Sequence, residues 1–136
     1  LSFVVDCSVA ARWLLPDEAT AYTDAVFELL GEQQAVVPLL FVSEFSNVFL
    51  KLSRQRKLTR QNALGAVQRF AALGLEIDRD TPDPERLFSL AQHYEISSYD
   101  ATYLELALRR ALPLACLDGG LRVAAEKAGL YLKIGR

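Results

Sequence analysis

The stretch Phe3-Val4-Val5-Asp6-Cys7-Ser8 limits what this chain can fold into more than any other. A short apolar, β-branched run without polar alternation suits a strand buried on both faces. The run ends in a carboxylate, and the chain turns into a helix at Ser8. The pattern returns at Ala35-Val36-Val37, Leu75-Glu76-Ile77, Leu114-Ala115-Cys116-Leu117 and Leu130 to Ile134. These read as four further strands, with helical stretches between them. Strands that alternate with helices, two in some connections, imply a parallel sheet covered on both faces.

The helical stretches carry their own boundaries. Ser8 to Leu15 is stopped by Pro16. Asp17 or Thr20 caps the next helix, which Gly31 ends. From Leu40 to Arg56 the apolar residues Phe41, Phe45, Val48, Phe49 and Leu52 recur at spacings of three and four, while Glu44, Asn47 and Lys51 share a different face. Thr59 opens a helix to Leu73, and Thr81-Pro82-Asp83-Pro84-Glu85 opens one that stops near Tyr94. Ser97-Ser98-Tyr99-Asp100 starts the helix Ala101 to Ala111, and Gly119-Gly120 turns into Leu121 to Ala128.

With 136 residues, the chain has the size of one domain spanning 1–136. Its apolar runs are short, so no membrane span is expected. No basic-then-apolar leader is evident, and only Cys7 and Cys116 are present, so a reducing cytoplasm is the expected setting. One His and two Cys do not make an ordinary four-ligand zinc site. A net charge of −2 argues against non-specific coating of nucleic acid.

Four acids stand out. Asp6 and Asp118 follow the two strands expected to be central, and Asp100 opens the helix that leads into the second of them. Glu44 lies about one turn into a helix that follows a strand. All four are expected on the carboxyl rim of the sheet, where open α/β sheets bind their ligands. Singly, each has a structural reading. Asp6 and Asp118 suit N-caps, Ser97-x-x-Asp100 matches a capping box, and Glu44 suits a solvated helix face. Together they would repel one another unless a cation intervenes. Oxygen ligands without His or Cys suit Mg²⁺ or Mn²⁺, which make hydroxide available near neutral pH and shield a scissile phosphate.

These segments resemble the PIN domain family, and most closely its VapC-type ribonuclease toxins from toxin–antitoxin pairs. The matching pieces are Val5-Asp6-Cys7-Ser8 with Trp13-Leu14-Leu15-Pro16, Ser43-Glu44-Phe45-Ser46-Asn47-Val48, Tyr99-Asp100-Ala101-Thr102-Tyr103-Leu104-Glu105-Leu106-Ala107, and Leu117-Asp118. They span nearly the whole chain in the family's order. The resemblance implies a three-layer α/β/α sandwich with a five-stranded parallel sheet. It implies a catalytic quartet of Asp6, Glu44, Asp100 and Asp118 that holds Mg²⁺ or Mn²⁺ and cuts RNA. In that reading Asp6, Asp100 and Asp118 ligate the metal, and Glu44 ligates it or orients the attacking water. Ser8 matches a hydroxyl that supports the first Asp, and Asn47 an Asn one turn after the Glu. Cys116 stands where the family often has Thr, and a thiol is a weaker donor.

The resemblance also implies a cognate antitoxin, whose helix and tail occupy a groove and whose basic side chain enters the acidic pocket, and a homodimer. Phe41 and Phe49 are candidates for groove or core. Arg12, Lys51, Arg54 and Arg56 are candidate RNA contacts, with Lys57 and Arg60 in the same basic segment; helix-end solvation is the competing reading. Tyr99 and Tyr103 suit base stacking or ordinary packing. Three other readings compete. A catalytically silent PIN-like binding module would be marked by loss of the acids. An aspartyl phosphatase needs a second Asp two positions after the first, where Ser8 stands. A dinucleotide-binding unit needs a Gly-rich first turn, which is missing.

Overall fold

A computed structural model describes residues 1–134. The strands are β1 (Ser2–Val5), β2 (Gln34–Pro38), β3 (Glu76–Asp78) and β4 (Leu114–Ala115). The helices are α1 (Cys7–Arg12), α2 (Ala21–Leu29), α3 (Leu40–Arg54), α4 (Arg60–Gln68), α5 (Pro84–Tyr94), α6 (Ser98–Arg110) and α7 (Gly120–Lys127). The sheet order is β3-β2-β1-β4 and every pair is parallel. Phe3 pairs with Ala35, and Val5 with Ala115. Helices cover both faces, giving the expected three-layer α/β/α architecture, with α6 packed on β1, β2 and β4.

Phe3, Val4, Val5, Val36, Val37, Leu114 and Ala115 are fully enclosed or nearly so, as runs without alternation require in a two-sided parallel sheet. Burying a Val or Phe side chain contributes about 1.5–3 kcal/mol, so this central strip dominates the core. Beside it, Phe41, Phe45 and Phe49 recur every four residues along α3 and meet in ring contacts of 5.5 and 5.2 Å. Phe41 and Phe49 therefore belong to the core rather than to an exposed groove.

Several boundaries differ from the sequence reading. The fifth strand over 130–134 shrinks to a single parallel bridge between Leu114 and Tyr131, so the sheet has four strands. β4 itself is only two residues long, which leaves little edge for a neighbour to pair along. The first helix ends at Arg12, and a 3₁₀ turn occupies Pro16–Glu18. Thr20, not Asp17, caps α2, in a reciprocal pair with Thr23. The helix after Thr59 tightens into 3₁₀ geometry at Arg69–Leu73, and Gly74, at φ 65, ends it.

Candidate active site

The strand order reverses beside β1: the chain moves from β1 to β2 on one side, and β4 lies on the other. A crevice opens at such a switch point, outside the carboxyl ends of the strands. Asp6 is the residue that leaves β1, and its amide donates to Ala115 O of β4 at 2.9 Å. Asp6 flanks α1 in the N-cap position, yet its side chain makes no capping hydrogen bond. Its Oδ2 instead accepts from Ser8 Oγ at 2.5 Å.

Glu44 stands on α3 and is half-buried rather than freely solvated. Its Oε1 accepts from the hydroxyl of Tyr103 on α6. Asp100 lies in the first turn of α6. Ser97 caps that helix by accepting from the Asp100 amide at 3.0 Å. The return bond of a full capping box is not made, so the Asp100 carboxylate is not engaged by the cap.

Asp6 and Glu44 feel the charges of neighbouring acids. Asp6 is pushed up to about 6, first by burial, with the Ser8 bond opposing and the charges of Asp100 and Glu44 adding to the rise. Glu44 is raised by burial and by Asp100, against the Tyr103 bond, and Asp100 is raised by burial. Among the described residues, no Lys or Arg forms an ion pair with any of the three.

Asp118 stands apart. Its side chain is 94% exposed, and Arg122 Nη1 lies 3.6 Å from its Oδ1. Gly119, at φ 147 and ψ −166, takes the N-cap position of α7 in a conformation that favours glycine, so Asp118 is not the cap. Cys116 is buried, and its thiol is pushed up to about 12, first by burial and then by Asp6, so it stays protonated. Among the described residues, no group of three or more His, Cys, Asp and Glu side chains is drawn close enough to hold a metal ion. The donor set matches a hard divalent cation in type: all oxygen, anionic, and without cationic partners at Asp6, Glu44 and Asp100.

Two open hollows adjoin Glu44 and Asn47. One, of about 390 Å³, is lined by Leu15, Glu18, Val48, Lys51, Leu52 and Gln55 as well. The other, of about 430 Å³, adds Leu40, Ser43 and Tyr99. Asn47 is exposed one turn beyond Glu44, and Lys51 one turn further, so the polar face of α3 forms a floor. Arg54 and Arg56 are exposed near the end of this helix. Arg12 is tied to the 3₁₀ turn: its Nη1 donates to Glu18 O at 2.8 Å.

The two tyrosines divide. Tyr99 is 64% exposed at the mouth of the second hollow, whereas Tyr103 is 1% exposed and cannot stack on a base. Trp13 is core material: Nε1 donates to Thr23 O at 3.0 Å and the ring meets Phe27 edge-on. The Tyr103 bond to Glu44 was not legible in the sequence. Its only signal is the i, i+3 spacing from Asp100, which puts both on one face of α6.

This chain belongs to the PIN domain family, whose model matches residues 3–127. PIN domains are generally nucleases. The chain is similar in fold to the crystal structure of PAE2754 from Pyrobaculum aerophilum. The TM-score is 0.70 at 18% identity, over 91% of this chain and 79% of that one. No curated protein matches the chain. Among the described residues, no helix is long and apolar enough to cross a membrane.

Proposed function

We propose that this chain is a Mg²⁺- or Mn²⁺-dependent endoribonuclease acting as the toxin of a type II toxin–antitoxin pair. The observation that carries the nuclease reading is three raised carboxylates at one rim: Asp6 is raised in part by the charges of Asp100 and Glu44, Glu44 in part by Asp100, and among the described residues none of the three pairs with Lys or Arg. Such a cluster costs stability unless it serves a ligand. A divalent ion bound at this rim would supply a water of lowered pKa and neutralise charge at the phosphate.

The residues divide the remaining work. Asp6, at the end of β1, and Asp100, in the first turn of α6, would hold the ion. Asp118 joins them by turning away from Arg122. Ser8 holds Asp6 in register, and Glu44 ligates the ion or orients the attacking water. Lys51, with Asn47, faces the RNA backbone along α3, and Arg54 and Arg56 extend that contact. The VapC-like order of motifs supports an antitoxin partner and a homodimer, and the exposed acidic rim suits a basic antitoxin side chain.

The test is cleavage of total RNA with Mn²⁺ or Mg²⁺, with and without chelator, in the wild type and in Asp6→Asn. Metal-dependent internal cleavage that Asp6→Asn loses while still folded is the expected result. Equal cleavage by the variant overturns the assignment. Co-expression with the product of an adjacent small reading frame tests the toxin role: a complex that blocks cleavage supports it, and free activity opposes it.

A further inference from the structure

Tyr103 is enclosed by the core yet carries a hydroxyl. A buried phenol needs a hydrogen-bond partner, and leaving it without one is costly. The partner is Oε1 of Glu44, 59 residues away in the chain. An ionised carboxylate can only accept, so the Tyr103 hydroxyl is the donor in this bond.

The geometry ties two helices together at the rim. Asp100 and Tyr103 sit three residues apart on α6, so one helical turn presents an acid and also the group that orients another acid. On α3, Phe41 and Phe45 flank Glu44 and are buried, which fixes the backbone there. What remains free at Glu44 is its side-chain torsions, and the phenol holds one of its two oxygens. The other oxygen is left for the rim.

We infer that Tyr103 is a positioning residue: its hydroxyl orients the Glu44 carboxylate for a divalent cation. The inference rests on the metal-dependent reading above. Groups that orient a metal's ligands typically change affinity by about 10–100-fold when removed.

The experiment is Mn²⁺ binding by calorimetry, with no RNA present, in the wild type, Tyr103→Phe, Glu44→Gln and the double variant. Tyr103→Phe is expected to weaken Mn²⁺ binding about tenfold, and to add little in the Glu44→Gln background, because the two act as one unit. Trp13→Phe, which loses the bond to Thr23, is expected to lower Tm without changing Mn²⁺ affinity. Unchanged affinity in Tyr103→Phe beside a weakened Glu44→Gln overturns the inference, as do losses that simply add. A wild type that binds no Mn²⁺ overturns the metal reading itself, and the Glu44→Gln arm is then flat too. If Tyr103→Phe does not fold, the hydroxyl proton resonance of Tyr103 in the wild type decides: a shift on adding Mg²⁺ supports the role, and an unmoved signal overturns it.

Discussion

Ser8 Oγ donates to Asp6 Oδ2 at 2.5 Å, across the turn where β1 becomes α1. The bond favours the ionised form of the one acid that lies at the switch point of the sheet. A hydrogen bond to a charged group contributes about 1.5–3 kcal/mol. Ser8→Ala is therefore expected to raise the Asp6 pKa further and to weaken Mn²⁺ binding at pH 6 more than at pH 8. Calorimetry at the two pH values checks it.

Asp6 also sets a pH dependence of stability. Its folded pKa is raised from 3.8 to about 6, so the folded state binds the proton more tightly than the unfolded chain does. The cost of ionising it is absent below about pH 3.8, grows through the window to about 6, and is constant above. It is on the order of 3 kcal/mol by the linkage relation. Asp6→Asn removes that cost. The metal-free variant is expected to melt higher than the wild type by a margin that widens from pH 4 to pH 7, as thermal scans across that range would show. A gain in stability with loss of cleavage is what a functional carboxylate produces.

Arg109 carries the opposite kind of interaction. Its Nη1 and Nη2 each lie 3.1 Å from an oxygen of buried Asp78, and its Nε lies 2.9 Å from Glu105 Oε2. This network ties α6 to the end of β3. Burial alone raises Asp78, but bonds from Arg109, the Asp80 amide and Arg110 outweigh it and leave the pKa lowered. Stability from this source is present above the unfolded pKa and is lost as pH falls through the lowered folded one. Arg109→Leu leaves Asp78 only the longer, 3.4 Å contact with Arg110 at the sheet edge. A loss of about 2–3 kcal/mol is expected in urea unfolding at pH 7, less than the 3–5 of a fully enclosed pair because Arg109 is partly exposed. The loss narrows in acid.

Lys51 and Arg12 make a matched pair for testing RNA contact. Lys51 lines the hollow beside Glu44 and Asn47, while the Arg12 guanidinium is engaged by Glu18. Lys51→Glu in the Asp6→Asn background is expected to weaken RNA binding and to lower the slope of log affinity against log salt by about one. Arg12→Ala is expected to leave that slope unchanged. Filter binding at several salt concentrations separates the two.

Much of the framework was legible because it is local. The unalternating runs at Phe3 to Val5 and Ala35 to Val37 specify enclosed strands, and the period of Phe41, Phe45 and Phe49 specifies which face of α3 turns inward. Thr59, Ser97 and Asp83 act as caps within a few residues of themselves. Strand order was not legible in the same way: the strand at Leu114, expected to be central, lies at one edge of the four-stranded sheet.

The amino-acid sequence by itself determined where the acids sit along the elements, since a side chain's register on a strand or helix depends only on near neighbours. Tertiary structure decided which polar groups meet. Tyr103 reaches Glu44, 59 residues away, because α3 and α6 both pack against β2. Leu130 to Ile134 pairs at one bridge because β4 offers so short an edge. Such contacts join groups distant in sequence or settle between competing rotamers, and no periodicity encodes them.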